Sequence, residues 1–591
     1  MKTISTILAL GLISIIIVMP LIASTAVTPA FKNVPPEGVT VGSTPTITES
    51  EPETPAQHDA RMNWWRKAKF GMFIHWGIYS VPAGKYGNET NYAEWIMNQA
   101  KISVAEYRGF AKQFNPVKYN PIAWSQIAKD AGMRYIIITA KHHDGFALYP
   151  SAASVWNVAE ATPYKKDLLG PLVNAAKADD LKIGFYYSQS QDWNNPGGAK
   201  SGFNEGEGWD AAQKGDYDDY LKNIAAPQIR ELLTRYSIDI LWWDTPMFMD
   251  EKRAAPLAAL IRLRPGLITN NRLGGGFNGD TSTPEQFVPI SGYKGDWETC
   301  MTMNDCWGYN AYDQNWKSSA DLIRKLAAVC SKGGNFLLNV GPTAEGEFPP
   351  ASIERLRDIG RWMRANGDSI YGTSAGPFTY LSWGVATRKG NIIYLHVFDW
   401  PKGGQLHVPL QNKVKSVNLL CTPHAKLSLT NEPNRLVIHV PSLAPDAVDT
   451  VVALEIEGEP VVLSLPTVDA TATASASMSG NEPANVLDGT VEKVWRAPAE
   501  FKSAWLEVRL AKPTTIGAFG FDEPDVWPRM TQQFTLEISD GNGWHKIAEG
   551  NTIGHGFRQI ITPVTTQTFR LTIKYGQGSP GIAEFQLYRP E

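Results

Sequence analysis

The sequence predicts a multidomain protein: an irregular (β/α)8-like TIM barrel, then an antiparallel β-sandwich, then a C-terminal β jelly roll. Three observations predict it. Between residues 62 and 371, short apolar runs of strand length alternate about seven times with longer runs of helical periodicity. Beyond 372 the helical runs stop, and short strands broken by Gly, Pro and Asn follow to the C-terminus. At 591 residues the chain is also too long for a single hydrophobic core.

From the N-terminus, Met1 and Lys2 precede an apolar run over 7–23 and the small residues Ala23, Ser24, Thr25 and Ala26. That pattern predicts a signal peptide over 1–25 and a secreted or periplasmic, extracytoplasmic location, with an uncleaved N-terminal anchor as the alternative. No later segment is apolar enough to span a bilayer, so no integral membrane segment is expected after signal removal. Residues 26–57, rich in Pro, Thr, Ser and Glu, read as a linker. Asn88-Glu89-Thr90 matches the N-glycosylation pattern.

The barrel is expected over 58–371, with strands at 70–76, 135–141, 182–188, 239–243, 267–271, 297–302 and 336–340. Helices are expected at 104–114, 122–131, 171–178, 217–236, 254–264, 319–331 and 351–365. No Gly-rich dinucleotide turn follows the first strand, which favours a barrel over an open nucleotide-binding sheet. An eighth strand is not evident, hence the expected irregularity. Residues 372–458 carry strand patterns at 385–388, 392–397, 417–420, 436–439 and 451–456 and read as a β-sandwich. Residues 466–591 form a further all-β unit, with strands around 505–510, 534–538 and 569–573.

Composition narrows the function. Hydrophobic residues at 43% and charged residues at 19% mark a folded globular chain. A formal charge of -4 supplies no basic field for nucleic acid. The 20 Trp and 21 Tyr exceed what packing alone asks for, and such rings stack on carbohydrate C–H faces. Four cysteines, Cys300, Cys306, Cys330 and Cys421, make no disulfide framework and no zinc pattern, so free thiols are expected.

The chain is organised around Ile238-Asp239-Ile240-Leu241-Trp242-Trp243-Asp244-Thr245-Pro246, a short apolar strand that ends in a carboxylate between indoles and a proline. A turn-capping role for Asp244 is the plain alternative. Other predicted strands also end in polar or aromatic residues: Phe73-Ile74-His75-Trp76, Lys141-His142-His143-Asp144, Tyr186-Tyr187-Ser188 and Asn270-Asn271-Arg272. Barrel closure would aim these strand ends into one pocket with donors, acceptors and stacking faces for a sugar. A zinc hydrolase is the rival, and adjacent His142 and His143 argue against it, because strand neighbours point to opposite faces. Glycoside hydrolysis needs a second carboxyl group as well as Asp244, and both Glu285 in Thr283-Pro284-Glu285-Gln286 and Glu298 in Asp296-Trp297-Glu298-Thr299 qualify.

These motifs, with Ala93-Glu94-Trp95 and Gly333-Gly334-Asn335-Phe336-Leu337-Leu338-Asn339-Val340-Gly341, resemble the α-L-fucosidases of glycoside hydrolase family 29 from about residue 62 to 456. The resemblance implies a secreted, retaining exo-α-L-fucosidase acting on fucosylated glycans by double displacement, with Asp244 as nucleophile and no cofactor or catalytic metal. Members differ in which Glu is the acid/base. Glu285 is the choice here, because a mobile loop can reach the leaving group, with Glu298 as alternative. His75, Glu94, Trp95, His142, His143, Tyr187, Trp242 and Arg272 would hold the sugar, with Tyr186 as the alternative to Tyr187. The Trp-Glu-Thr-Cys run resembles the broad-specificity branch more than the one confined to branched Lewis-type glycans. The other functions weighed are a relaxed glycosidase on α-L-galactose-like sugars and a non-catalytic sugar-binding protein. The C-terminal unit resembles the discoidin-like, family 32 carbohydrate-binding domains, through Ala484-Asn485-Val486-Leu487-Asp488-Gly489 and Trp495. That likeness implies a structural Ca²⁺ near Asp488. Trp527 and Trp544 are its candidate ligand aromatics, each of which packing alone would also explain.

Overall fold

The structure is a computed structural model that describes residues 53–433, 435–524, 531–576 and 578–590, without the side chains at 423–426. The predicted signal peptide and most of the predicted linker lie outside the described residues. So does Trp527. No helix among the described residues is long and apolar enough to cross a membrane.

Seven parallel strands form the first sheet: β1 Phe70–Ile74, β2 Tyr135–Lys141, β3 Lys182–Tyr187, β4 Ile240–Trp243, β5 Ile268–Thr269, β6 Glu298–Thr302 and β7 Asn335–Val340. Their spatial order is β5-β4-β3-β2-β1-β7-β6, which leaves a gap between β5 and β6. Isolated parallel bridges Asn270↔Thr281, Ser282↔Trp297 and Glu285↔Cys300 span that gap. Residues 281–286 therefore stand where a regular barrel would have its eighth strand. Pro284 can donate no ladder bond there, which explains why the sequence shows no eighth strand pattern.

Alternation along the strands separates two apolar layers. Inside the barrel lie Phe73, Tyr135, Ile137, Tyr186, Ile240, Trp242, Ile268, Cys300 and Leu337, closed from below by Met62, Trp65 and Ala68. Outside, Met72, Ile74, Phe185, Tyr187, Leu241 and Trp243 meet the helices. The plug residues belong to a helix, Pro55–Ala68, that begins inside the predicted linker. Thr54 accepts from the Gln57 amide and Gln57 returns a bond to the Thr54 amide, a capping box with Pro at its first turn. The last three residues of the predicted linker, 55–57, are therefore helical.

Helices Pro121–Asp130, Leu169–Ala178, Ala226–Arg235, Glu251–Leu260, Ser319–Cys330 and Pro350–Asn366 cover the outer layer. The β5-to-β6 connection carries only the 3-10 turn Asn271–Leu273. Next comes the sandwich, a six-stranded antiparallel sheet centred on Ile392–Val397 and Thr450–Ile456 facing a three-stranded one, Gln405–Val408, Arg435–His439 and Ser428–Glu432. It is tied to the barrel helices by Trp362, whose indole donates to Asp449 O at 3.0 Å, and by Arg324, which donates to Val448 O at 2.9 Å. In the C-terminal unit the long strands Ser503–Asp522 and Phe557–Tyr575 pair along most of their length, with register shifts that bend them around a core of Leu506, Val508, Phe519, Phe521, Phe569 and Leu571.

Candidate active site

The C-terminal ends of the barrel strands meet around Asp244, which follows β4 and is 7% exposed. Its Oδ1 accepts from Arg272 at 2.8 Å and its Oδ2 from the Tyr186 hydroxyl at 2.7 Å. Its amide donates to Gln189 Oε1 at 2.9 Å, and Gln189 in turn donates to Arg272 O at 2.7 Å. Burial works to raise the Asp244 carboxyl. The Arg272 charge and the hydroxyl of Tyr186 outweigh it and hold the group below its ordinary range. His143 adds to this only where it is protonated, and burial pushes that ring down to about 4.

Arg272, just past β5, is fixed by more than the carboxylate. Its Nε donates to Thr283 Oγ1 at 2.9 Å, its second amino group to Thr283 O at 2.8 Å, and its plane lies 4.8 Å from the Trp242 ring. The nitrogen that binds Asp244 also binds Glu285 Oε2, at 3.0 Å. The two carboxylates are thus no farther apart, oxygen to oxygen, than two hydrogen bonds laid end to end. The residue after each is left-handed without being glycine: Thr245 at φ 43° and Gln286 at φ 66°. Such a conformation costs about 1–2 kcal/mol. At Gln286 it is held by a side-chain amide that accepts from the Thr302 amide at 3.2 Å and contacts Thr302 Oγ1 at 3.1 Å.

Glu298 is elsewhere. It opens β6 in register with Asn335, the first residue of β7, so it lies at the bottom of the barrel. The Tyr135 hydroxyl and the Trp242 indole both donate to it, and burial raises its carboxyl to about 7. Glu298, the alternative acid/base, precedes by two residues Cys300, the residue bridged to Glu285, and its carboxyl is held by Tyr135 and Trp242 and not by the Arg272 nitrogen that joins Glu285 to Asp244. Tyr187 is a correction. It faces the helices and donates to Gln228 Oε1 at 2.8 Å, while Tyr186 faces inward onto Asp244. Alternation allows one inward tyrosine, and it is Tyr186.

His142 and His143 are another. β2 ends at Lys141 after an irregularity past Thr139. The two rings lie 4.1 Å apart, and His142 stacks on Tyr186 at 5.4 Å. The alternation by which the sequence set them on opposite faces does not extend beyond the strand.

The tautomers of two rings follow from their neighbours. Asn339 donates to Trp307 O at 2.7 Å, so its Oδ1 is turned toward His75 Nδ1, 2.7 Å away, which must carry the proton. Ser188 donates to Gln191 O at 2.8 Å, so His143 Nδ1, at 2.7 Å, must be the donor to it. Both rings therefore keep an unprotonated Nε2, and that of His143 stands 3.6 Å from Asp244 Oδ2. Burial pushes the His75 ring down to about 3 and His142 well below its usual range, so both are neutral near pH 7. His142 Nδ1 is buried without a hydrogen-bond partner.

Trp95 sets its ring 5.1 Å from His143 and 5.0 Å from Trp193. Glu94 is buried and accepts from the Gly308 amide at 2.7 Å; burial raises its carboxyl against that bond, and the charge of Glu285 adds to the rise. Gln189 and Trp307 were missed, since neither stands in a motif. Trp307 lies 4.9 Å from His75.

In the C-terminal unit, Asp488 Oδ1 accepts from the Thr490 amide and hydroxyl at 3.0 and 2.9 Å. Burial raises the nearby Glu584 carboxyl to about 9, with Asp488 adding, and its Oε2 has no partner. An orphaned buried carboxyl oxygen within electrostatic reach of a second carboxylate is the kind of oxygen donor that Ca²⁺ takes, although no group of three or more His, Cys, Asp or Glu side chains gathers as a metal site among the described residues. Trp544 is half-buried under the guanidinium of Arg570, 3.9 Å from its ring.

Comparison with known proteins points to one family. The family model described as Alpha-L-fucosidase matches residues 41–368, and the F5/8 type C domain matches residues 470–585. An α-L-fucosidase of Branchiostoma floridae is 32% identical over 389 residues, 61% of this chain and 84% of that protein. The crystal structure of an α-L-fucosidase from Vibrio sp. strain EJY3 aligns over 90% of this chain and 98% of its own, at 26% identity and a TM-score of 0.70. A trapped covalent intermediate of a family 29 α-L-fucosidase from Bacteroides thetaiotaomicron with 2-fluoro-fucosyl fluoride aligns over 70% of this chain and 98% of its own, at 30% identity and a TM-score of 0.60. With its barrel matched by the family model over more than half its length and an F5/8 type C domain behind it, the chain belongs to the α-L-fucosidases, a family of glycoside hydrolases.

Proposed function

We propose that the enzyme releases terminal α-L-fucose from glycans with retention of configuration, Asp244 attacking the anomeric carbon and Glu285 acting as acid and then base. The observation that carries this is the single Arg272 nitrogen shared by the two carboxylates, with contacts of 2.8 and 3.0 Å. A nitrogen held by both carboxylates draws them together, which suits the close pair of a retaining enzyme, about 5–5.5 Å, better than the roughly 6.5–9.5 Å by which an inverting pair seats a water. Asp244 is kept ionised by Arg272 and Tyr186, as a nucleophile must be. In the first step its oxygen bonds to the anomeric carbon while the leaving oxygen takes the proton of Glu285. In the second, Glu285 removes a proton from water, which displaces Asp244. The covalent intermediate trapped in the Bacteroides relative supports this reading.

Sugar recognition follows from the tautomers. His75 and His143 offer acceptor nitrogens, and the 3.6 Å gap between two acceptors at His143 and Asp244 is suited to a hydroxyl that donates into it. Because Asp244 is so nearly enclosed, a chain end reaches it and an internal residue does not. The scheme asks for no metal at the reacting carbon. A Ca²⁺ held by Asp488 and Glu584 would stabilise the C-terminal domain, and the leader over 1–25 supports action outside the cytoplasm. The test is Glu285→Ala. Turnover of fucosides with poor leaving groups should fall far more than that of activated aryl fucosides, and azide, attacking the fucosyl-Asp244 intermediate without help from a base, should restore rate with formation of α-fucosyl azide. Equal losses on both substrates would refute the assignment.

A further inference from the structure

The other covered barrel connections lean on an α-helix, but the β5-to-β6 connection, which carries Glu285, has none. Its support comes from the C-terminal domain. Two residues past Glu285, the Phe287 ring stacks on the His555 imidazole with centroids 3.8 Å apart and 13° between planes. The Ile290 amide donates to Asp522 Oδ2 at 2.6 Å, and Arg558 donates to Ile290 O at 3.3 Å. Gln586 donates to Ser291 Oγ at 2.6 Å, and the Lys294 amide to Glu492 Oε1 at 3.0 Å.

The fit is close: a Cβ on Gly520 would lie 2.3 Å from Ile290 Cδ1, and one on Gly556 would lie 2.8 Å from Val288 O. Ile290 itself is 1% exposed. On the barrel side the same segment is held by the Gln286 amide to Cys300 O at 2.9 Å and by Thr299 to Phe287 O at 2.8 Å. Residues 286–291 are thus clamped between β6 and the C-terminal domain.

We propose that the C-terminal domain is a brace for the acid/base: His555, Asp522 and Gln586 are positioning residues that fix the segment carrying Glu285 and so set its reach to the leaving oxygen. This rests on the reading of Glu285 as the acid/base and adds to the domain a role separate from sugar binding. None of the bracing side chains contacts Asp244 or Arg272 among the bonds described above, so their effect must pass through the segment.

The test uses the full chain with His555→Ala on one side of the contact and Phe287→Leu on the other, alone and together, and Glu285→Ala beside them. The kcat on a fucosylated oligosaccharide should fall roughly ten- to a hundredfold in His555→Ala, as a displaced catalytic group predicts. The kcat/KM for an activated aryl fucoside, whose first step needs no acid, should stay within about twofold. Amide exchange in the peptide covering 282–291 should quicken, and the double variant should be no worse than the poorer single one. Unchanged kcat and unchanged exchange in both single variants overturn the brace, even if Glu285→Ala behaves as an acid/base variant. If Glu285→Ala shows no leaving-group selectivity, the acid/base reading fails by itself and exchange alone decides whether the domain holds the segment. Phe287→Leu leaves the C-terminal domain untouched, so a folding defect in His555→Ala does not remove the test.

Discussion

Replacing Arg272 should move the acid limb of the pH–rate profile upward. Its guanidinium is the nearest positive charge to Asp244, at 2.8 Å, and it offsets the burial that would otherwise raise that carboxyl. An arginine beside an aspartate lowers its pKa by about 1–3 units. With Arg272→Met the carboxyl should rise by that amount, further favoured by the charge of Glu285, which Arg272 no longer neutralises. The sign is fixed: Asp244 must be ionised to attack, so a higher pKa removes activity at the acid end and not at the alkaline end. One pKa unit is about 1.4 kcal/mol, so the variant forfeits about 1.4–4 kcal/mol of preference for the ionised nucleophile. The same linkage destabilises the fold. The depressed carboxyl contributes stability above its unfolded pKa that is lost as pH falls through the folded value, and the variant lacks that contribution. The assay is kcat/KM for an aryl α-L-fucoside between about pH 3 and 9, with Arg272→Lys as the control that keeps charge but not the fork to Thr283. An acid limb at the wild-type pH in Arg272→Met, in a folded protein, would refute the electrostatic account.

Three further outcomes are expected. Tyr186→Phe removes a hydrogen bond to an ionised group and should lower kcat/KM by roughly ten- to a hundredfold, while Tyr187→Phe, which loses its bond to Gln228, should cost about 1 kcal/mol of stability and leave kcat unchanged. Glu298→Gln should keep wild-type leaving-group selectivity. Because the Glu298 carboxyl rises from 4.5 to about 7 in the fold, its contribution is full below 4.5 and fades as pH rises through 7, so the variant should lack a fall of about 3 kcal/mol in that window, read by urea unfolding. Calcium should raise the melting temperature and chelation lower it, and Glu584→Gln should abolish both shifts.

Much of this fold was legible because period reports burial. The barrel strands 135–141 and 182–187 and the helix Pro350–Asn366 stand within a residue or so of where their patterns place them. The gap strand was not legible: Thr283-Pro284-Glu285 has no alternation, and its pairing is visible only once Trp297 and Cys300 are beside it. The plug helix had a readable signal in Thr54-Pro55 and Gln57, which the Pro-rich surroundings masked. At the site, strand-end position correctly grouped His75, His142, His143, Asp244 and Arg272. It failed where the answer depended on which end or face a residue occupies, as for Glu298 at a strand start and Tyr187 on the outer face. Residues that act by holding others, Gln189, Asn339 and Ser188, are recognisable only through their hydrogen bonds.

The central claim is that Asp244 forms a covalent bond to the sugar, and peptide mass spectrometry after incubation with 2-fluoro-fucosyl fluoride measures it most directly. The account predicts one added 2-fluoro-fucosyl group per chain, on the peptide containing Asp244, and none in Asp244→Asn. A label on any other carboxylate, or stoichiometric inactivation of Asp244→Asn by the same reagent, would contradict it.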